Sequence, residues 1–306
     1  MKIGVFIGEA SGERTSVEQL LANAREAEAR GFATGWVPHI PWSLDALTAL
    51  ALAATVTDRI ELGTAVVPTF PRHPMSMAQE ALTVQAVSKG RLALGIGPSH
   101  PVVIENMYGL SYDKPAAHTA EYIEVLQKCF TNNFVEHTGD RFKVQAMLEV
   151  PGGTPPALLV AALAPKMLDL TGRLADGTIT YWADEKAIGE HVVPRITKSA
   201  ADAGRPSPRV VVGLPIAVVD DVDAARARAE KLFATYLAIP TYQRILGRGE
   251  SGSPVDVAII GTEAQVRTRL QSYADAGATE FCASVLGLGD DREKSHAATL
   301  DFLASL

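Results

Sequence analysis

The sequence predicts an α/β protein built as one (β/α)8 TIM barrel, and two observations lead to that class. Short apolar runs alternate with amphipathic helical patterns along all 306 residues. The runs are continuously apolar, as expected of parallel strands that helices cover on both faces. The alternative fold class is a doubly wound open sheet, which is expected to carry a Gly-x-Gly-x-x-Gly turn after its first strand. Residues 8–12 lack that spacing.

Four strands and the helices between them are predicted in the first third of the chain. The strands lie at residues 2–7, 32–37, 60–66 and 91–96. The first helix begins at Ser16, where Gln19 completes a capping box, and it ends at Gly31. The second helix covers about residues 44–57, and the third covers 74–88.

The remainder repeats this pattern but contains two irregular stretches. The strands are predicted at residues 157–162, 177–181, 209–218 and 278–285. Helices are predicted at about residues 119–130, 165–175, 184–203, 221–238 and 291–306. A further helix is predicted to begin at Thr262, with Gln265 as its capping-box partner. We interpret residues 98–156 and 239–257 as insertions after strands four and seven of a single domain spanning residues 1–306. The insertions are expected to lie over the barrel mouth and to determine substrate specificity.

The composition narrows the classes of partner. Lys and Arg total 28 and Asp and Glu total 35, which gives a net charge of −7 without a basic run and argues against nucleic-acid binding. No apolar run approaches the roughly 18–20 residues of a membrane helix. The two cysteines, Cys129 and Cys282, cannot form a disulfide framework, which predicts a reducing, cytoplasmic location. Residues 1–8 are predicted to start the fold as a strand and not to form a signal peptide.

Familiar catalytic motifs are missing from the sequence. The seven histidines fall into neither a His-x-x-x-His nor a His-Glu-x-x-His pattern, and we predict no metal site. There is also no Gly-x-Ser-x-Gly elbow and no Walker loop. An enzyme without a metal or nucleophile motif often takes its chemistry from an organic cofactor and a small-molecule substrate.

Candidate site residues follow from the barrel, because active sites of this fold lie on the loops after the carboxyl ends of the strands. They are Glu9 after strand one; His39 and Trp42 after strand two; Thr64, Ala65, Val66 and Arg72 after strand three; Gly97, Pro98, Ser99 and His100 after strand four; Ala161, Ala162, Leu163 and Ala164 after strand five; and Thr180 after strand six.

Each polar candidate has a second interpretation. His39 beside Trp42 suits a group that sits over a flat ring and exchanges protons near neutral pH, but it equally suits a solvated loop. Glu9 would orient a base or lie on the surface near the first helix N-terminus. His100 faces either the cavity or solvent.

Two turns also carry alternatives. The small residues of 161–165 run directly into a helix N-terminus, which favours either a phosphate site or ordinary close packing of strand and helix. The proline-rich turn at 63–74 is either a rigid loop or a bulge that presses on a bound ring.

Several segments taken together resemble a known family. They are residues 31–39, 59–66, Arg72-His73-Pro74, 90–97, Ala175-Asp176-Gly177 and Ile260-Gly261-Thr262. On these segments the chain is similar to the bacterial-luciferase-like oxidoreductases, specifically to the branch that uses the deazaflavin coenzyme F420. Within that branch it resembles an uncharacterised actinobacterial subgroup.

The resemblance implies a flavin or deazaflavin bound across the barrel mouth, with hydride transfer at ring carbon C5 of a deazaflavin. It implies a non-prolyl cis peptide between Ala65 and Val66, in a bulge that backs the ring. It places the cofactor phosphate on Leu163 and Ala164, with a hydroxyl from Thr180. By family analogy it also predicts a homodimer formed through helices of the first half.

Three positions depart from the sugar-phosphate and alcohol dehydrogenases of that branch. Pro38 replaces an Asp before His39, Trp42 lies one residue closer, and His100 stands where those enzymes carry a Glu. We therefore do not expect those substrates.

Three hypotheses remain from the sequence. The first is an F420-dependent oxidoreductase in which His39 donates or accepts the proton and His100 or Glu9 supports it, with Trp42 beside them. The second is an FMN-dependent monooxygenase that uses reduced flavin and dioxygen. The third is a barrel that binds the cofactor without catalysis.

Overall fold

Eight parallel strands form a closed barrel in the computed structural model, which describes residues 1–9 and 14–306. The strands along the chain are β1 (Lys2–Phe6), β2 (Thr34–Val37), β3 (Glu61–Thr64), β4 (Val67–Pro68), β5 (Leu92–Gly97), β6 (Phe134–Thr138), β7 (Lys143–Met147), β8 (Ala157–Ala161), β9 (Gly177–Tyr181), β10 (Arg209–Val218), β11 (Ile259–Gly261) and β12 (Glu280–Val285). The ring runs β1, β2, β3, β5, β8, β9, β10, β12 and returns to β1. The predicted fold class is confirmed, and each predicted strand coincides with a barrel strand.

Helices connect the strands of the ring. They are α1 (Val17–Ala29), α2 (Ala46–Ala54), α3 (Pro74–Ser88), α4 (Pro115–Thr131), α5 (Pro165–Leu174), α6 (Glu185–Ala187), α7 (Val193–Asp202), α8 (Val222–Phe233), α9 (Pro240–Leu246), α10 (Pro254–Val257), α11 (Glu263–Asp275) and α12 (Arg292–Ala304). Outside the ring, β6 and β7 form an antiparallel hairpin that packs against α4. Within the described residues, no helix is both long and apolar enough to cross a membrane.

The single helix predicted over 184–203 is interrupted in the structure. A π-helical segment, Ile188–Val192, separates α6 from α7. Pro194 lies in the first turn of α7, and a proline lacks the N–H that a continuous α-helix would use there. The wider turn before it follows from that missing donor. The helix predicted over 221–238 likewise ends in a 3₁₀ turn.

The two predicted capping boxes differ in outcome. Thr262 and Gln265 exchange both hydrogen bonds of the box. Ser16 accepts from the backbone N–H of Gln19 at 3.2 Å, but the Gln19 amide donates to Asn23 at 2.7 Å and does not return to Ser16. Asn23 in turn donates to the carbonyl oxygen of Ile7 at 3.0 Å, which ties α1 to the end of β1. The box predicted at Ser16 is therefore wrong in its second half, because the Gln19 amide donates to Asn23 instead.

An ionic cluster closes the lower end of the barrel. Arg209 donates through Nη1 to Glu61 Oε1 and through Nε to Glu280 Oε2, both at 3.1 Å. Trp36 Nε1 donates to Glu280 Oε1 at 2.9 Å, and the Arg209 guanidinium lies 5.5 Å from the centre of the Trp36 ring. The Glu280 side chain is only 1% exposed. We call Arg209, Glu61, Glu280 and Trp36 the barrel floor.

An apolar layer fills the barrel above this floor. The ring of Trp36 extends from the floor into this layer, which also contains Ala93, Leu159, Ile179, Val211 and Cys282, with Phe6, Ala65 and Val66 packed against it. Because the floor and the centre are filled by side chains, a ligand of this barrel is restricted to the mouth at the carboxyl ends of the strands.

The apolar stripe of α2 packs inward. Leu47, Leu50 and Ala54 are each at most 6% exposed within one chain. These residues are therefore already buried within a single chain. On its outer side α2 carries Leu52, which is 39% exposed.

Candidate functional site

A bulge follows β3 at the barrel mouth. The peptide bond between Ala65 and Val66 is cis, as the resemblance implied. Thr64 Oγ1 donates to the carbonyl oxygen of Gly95 and accepts from its N–H, both at 2.8 Å. Thr64 is fully buried, so its hydroxyl holds the bulge against β5 while Ala65 and Val66 cover the apolar layer.

Small residues on the neighbouring strands keep the mouth beside this bulge shallow. A Cβ atom on Gly97 would lie only 2.9 Å from Val66 Cγ2 and 3.0 Å from the Ala161 Cβ, so β5 can approach the bulge and β8 this closely only with glycine at position 97. Val66, Gly97 and Ala161 thus pack together without a side chain projecting from position 97, which suits the flat face of a ring system.

His39 stands at this mouth with one ring nitrogen turned to the N-terminus of α2. Its side chain is 10% exposed, and its Nδ1 lies 3.5 Å from Asp45 Oδ2. The backbone N–H of Ala46 donates to the same nitrogen at 3.4 Å. Burial lowers the pKa of His39 from its ordinary value and the Arg72 charge lowers it further, while the Asp45 charge raises it.

Asp45 connects His39 to a wider ionic group. Its Oδ1 accepts from the N–H of Thr48 at 2.9 Å and caps α2, and its Oδ2 accepts from Arg72 Nη2 at 2.7 Å. Arg72 Nη1 lies 3.2 Å from Glu80 Oε2 on its other side. Burial raises the pKa of Glu80, whereas hydrogen bonds from Thr48 and Arg72 outweigh burial and lower the pKa of Asp45.

The other three polar candidates lie in different settings. Glu9 is 6% exposed and its Oε2 is buried without a hydrogen-bond partner among the described residues, so it is not a surface carboxylate. His100 is half-buried, and its Nδ1 is likewise buried without a partner in the described part of the chain. Burial lowers the pKa of His100. Trp42 is 58% exposed, so it lies at the outer rim and contributes little buried surface.

An aromatic wall borders the mouth on the side of His100. The edge of Tyr242 meets the His100 ring with centroids 5.4 Å apart. Tyr181, at the end of β9, lies 6.0 Å from Tyr236 and 6.1 Å from Tyr242. Burial raises the pKa of all three tyrosines, which keeps their hydroxyls neutral near pH 7. Sequence reasoning missed this wall, since Tyr236 and Tyr242 come from a segment without a motif.

The turn between β8 and α5 presents a helix N-terminus without a cap. Ala164 occupies the N-cap position, and no side chain among the described residues hydrogen-bonds there. The carbonyl oxygen of Leu163 accepts from His191 Nε2 at 2.8 Å, which steadies the turn. Ala162 is buried, and Pro165 opens the helix. Unpaired N–H groups of such a first turn attract anions.

Thr180 follows Ile179, which pairs with Ala161 at the end of β8, so it lies on the strand beside that turn. It is 2% exposed, and its hydroxyl donates to the carbonyl oxygen of Val211 at 3.4 Å. Pro98 and Ser99 continue from Gly97 at the mouth, where Ser99 has a left-handed φ of 64° and its carbonyl oxygen accepts from the Tyr112 hydroxyl at 3.0 Å. No group of three or more His, Cys, Asp or Glu side chains in residues 1–9 and 14–306 is placed to hold a metal ion.

Comparison with known proteins identifies the family. A sequence model described as luciferase-like monooxygenase matches residues 1–280. The chain belongs to this family. It is therefore an enzyme of the luciferase-like oxidoreductase type, and the predicted family is confirmed.

Three further similarities place the chain within the family. An uncharacterised protein of Mycobacterium tuberculosis is 29% identical over 255 residues, covering 76% of this chain and 73% of that protein. A 5,10-methylenetetrahydromethanopterin reductase of Methanolobus tindarius is 27% identical over 301 residues, covering 89% and 91% of the two chains. The solved structure of an F420-dependent secondary alcohol dehydrogenase with an F420-acetone adduct superposes with a TM-score of 0.83 at 20% identity, covering 99% and 97%.

Proposed function

We propose that this enzyme is an F420-dependent oxidoreductase that transfers hydride between the deazaflavin C5 and a small organic substrate, with His39 as proton donor or acceptor. The observation that carries the proposal is the surface of Val66, Gly97 and Ala161 beside the buried His39. Similarity to a methylenetetrahydromethanopterin reductase and to an F420-dependent alcohol dehydrogenase supports the choice of cofactor.

The residues present fit such a cofactor. Gly97 carries no side chain and packs closely against Val66 and Ala161, so no side chain from that position would obstruct a flat ring lying against Ala65 and Val66. The first turn of α5, uncapped at Ala164, suits the cofactor phosphate. Bound F420 supplies a two-electron hydride at ring carbon C5.

The chain's own residues would hold the ring and exchange the proton that accompanies the hydride. Ala65 and Val66 would support one face of the ring, and the apolar layer beneath them would keep water away from that face. His39 would exchange the proton that accompanies each hydride, so that a carbonyl or an activated double bond gains both, or the corresponding alcohol or saturated compound loses both. His100, with its unpartnered Nδ1, is placed to hydrogen-bond a substrate from the aromatic wall.

The test is a titration of the purified full-length chain with F420 and, separately, with FMN. We expect F420 to bind and its absorbance to change on turnover with a screened substrate. His39→Asn should lower kcat by about 100-fold or more with little change in F420 affinity, as expected for loss of a general acid–base group. Binding of FMN without binding of F420 overturns the cofactor assignment.

An FMN-dependent monooxygenase is the second candidate, and the description of the matching family favours it. Both cofactors need a flat slot and a phosphate site. Dioxygen consumption with reduced FMN, measured with an oxygen electrode, distinguishes it from an enzyme that turns over F420 under anaerobic conditions.

Two expectations about the whole protein remain predictions. A homodimer formed through helices of the first half is to be tested by sedimentation of the purified chain. A cytoplasmic location is to be tested by fractionation of the host cell.

A further inference from the structure

We propose that the aromatic wall is the substrate subsite, and that it selects an uncharged substrate with an aromatic ring over a carboxylate of the same shape. This inference rests on the proposed function, in which the mouth takes a small organic substrate beside the cofactor. It deepens that function by naming the class of substrate and the side chains that select it.

The first step places Tyr181 inside the barrel mouth. Ile179 belongs to the apolar layer, and side chains two residues apart on a strand share a face, so Tyr181 lies on the inner side of β9 above that layer. Its strand partner Gly213 follows Val211 of the same layer on β10. A Cβ atom on Gly213 would lie 3.3 Å from Tyr181 Cδ2, so the tyrosine ring lies against this glycine. Tyr181 is the last residue of β9, and its ring therefore borders the mouth.

The second step completes the wall from segments outside the barrel strands. Tyr242 lies in α9, and Tyr236 lies in the 3₁₀ turn just before it. The Tyr242 ring meets those of Tyr181 and Tyr236 at 62° and that of His100 at 66°, so these contacts are edge to face and not stacked. All four side chains are partly exposed. The wall therefore offers aromatic surface to a ligand in the mouth.

The third step concerns the electrostatics of the wall. Burial lowers the pKa of His100, and no charged group of the described residues contributes to that shift. Burial likewise raises the pKa of Tyr236 and of Tyr242, and the other influences on these two hydroxyls come from neighbouring tyrosines. The wall is therefore an uncharged environment.

Two cations of this region act elsewhere. Burial raises the pKa of Tyr112, which lies outside the wall, and the charge of Arg244, two residues beyond Tyr242, opposes that rise. Arg72, on the far side of the mouth, is already paired with two carboxylates. A carboxylate bound at the wall would lose its water without gaining a counter-ion, which is unfavourable. A neutral aromatic group loses little water and gains ring contacts.

One polar atom of the wall lacks a partner. His100 Nδ1 is buried and has no hydrogen-bond partner among the described residues. An unpaired buried ring nitrogen costs free energy, which a polar group of a ligand would recover. A hydroxyl pairs with either tautomer of the ring, and a carbonyl oxygen pairs with the Nδ1–H tautomer. The subsite therefore suits an aromatic substrate that carries an uncharged oxygen.

The experiment compares three probes of similar shape by ligand-observed NMR titration of the full-length chain, first without cofactor and then with F420. Acetophenone is aromatic and neutral, benzoate replaces its methyl group with a charged oxygen, and cyclohexyl methyl ketone replaces its ring with a saturated one. We expect acetophenone to bind at least about tenfold more tightly than benzoate, because the carboxylate has no counter-ion at the wall. It should bind about three- to tenfold more tightly than cyclohexyl methyl ketone.

Two substitutions at one position separate the ring from its hydroxyl. Tyr242→Leu should weaken acetophenone binding about three- to tenfold, whereas Tyr242→Phe keeps the ring and should stay within about twofold of the wild type. Tyr108→Leu is the matched control, because Tyr108 is 37% exposed and is not part of the wall, and it should leave all three affinities unchanged. Urea denaturation of each variant verifies that it is folded.

The contrary outcomes are defined for each part of the argument. Absence of acetophenone binding, equal affinities for acetophenone and benzoate, or an acetophenone affinity that Tyr242→Leu leaves unchanged overturns the inference. The last of these results would place the probe against Val66, Gly97 and Ala161 instead. A chain that shows the expected order of probes but does not bind F420 refutes the proposed function alone. Turnover of F420 with a substrate whose KM is unaffected by Tyr242→Leu refutes the substrate subsite alone.

Discussion

A substitution at the start of α5 should stabilise the protein and weaken cofactor binding at the same time. Ala164 is an exposed N-cap residue with extended backbone, φ −78° and ψ 148°, which is the geometry that aspartate and serine caps adopt. Ala164→Asp supplies the missing acceptor for the N–H groups of Lys166 and Met167. The expected gain in the free energy of unfolding is about 1 kcal/mol, with a further few tenths from the helix dipole.

The same carboxylate would occupy the position proposed for the cofactor phosphate. Two unit charges about 4 Å apart repel by about 4 kcal/mol at an effective dielectric constant near 20. Since Ala164 is exposed, solvent and salt screen much of this, and we expect F420 to bind at least about tenfold more weakly, or about 1.4 kcal/mol. Ala164→Ser provides the cap without the charge, so it should share the stability gain and lose less affinity.

The assay pairs urea denaturation with F420 titration at two salt concentrations. The loss of affinity in Ala164→Asp should shrink as salt rises, because the repulsion is screened. An Ala164→Asp variant that binds F420 as tightly as the wild type would refute a phosphate site at this turn. A variant with neither gain in stability nor loss of affinity would refute the description of an uncapped helix.

Three further predictions concern stability. Burial, with the Arg141 charge, lowers the pKa of His118 from 6.5 to about 4. As the pH falls, the His118 imidazole is therefore protonated in the unfolded chain before it is protonated in the folded one. The free energy of unfolding of the wild type should fall by about 3 kcal/mol as the pH drops from 6.5 to about 4. Urea denaturation across this pH range should show a smaller loss in His118→Gln than in the Tyr122→Phe control, because the other buried histidines keep their own contributions, and equal losses would contradict it. Arg209→Met leaves the buried Glu280 carboxylate without its counter-charge, with only the Trp36 hydrogen bond remaining, and should cost about 3–5 kcal/mol. Adding Glu280→Gln should restore part of this, and a cost below about 1 kcal/mol would argue against a closed floor. Thr64→Val removes both hydrogen bonds to Gly95, so it should lower the free energy of unfolding by about 1–3 kcal/mol and weaken F420 binding. Thr64→Ser should keep the stability and affinity of the wild type. A Thr64→Val variant with unchanged stability would show that the bulge does not depend on the hydroxyl.

The barrel was predictable because its strands are short apolar runs between clear helix signals. Thr262 and Gln265 form the full box that the sequence motif specifies, since nothing else competes for them. At Ser16 the same motif is overridden, because Asn23 reaches the end of β1 and draws the Gln19 amide away. Local patterns thus predict elements well until a tertiary partner offers a better contact.

The site was predictable only in part, for the same reason. His39 was identified from its position after a strand, which local sequence defines. Asp45 was missed as its partner, although an aspartate before an apolar helical run is a recognisable N-cap signal. Its second role depends on Arg72, 27 residues further along the chain, and no local pattern encodes that meeting. Tyr236 and Tyr242 reach the mouth only through the tertiary fold.

The barrel floor has a consequence for how the chain assembles during synthesis. Arg209 contacts Thr34, 175 residues earlier, and Glu280, 71 residues later. Until Glu280 has emerged from the ribosome, Trp36 and Arg209 of the nascent chain lack the carboxylate to which both donate. The barrel, including the first half that carries the bulge and His39, therefore closes only after β12 has been synthesised. A chain that ends before β12 therefore lacks both the strand that joins β10 to β1 and the carboxylate that Trp36 and Arg209 share.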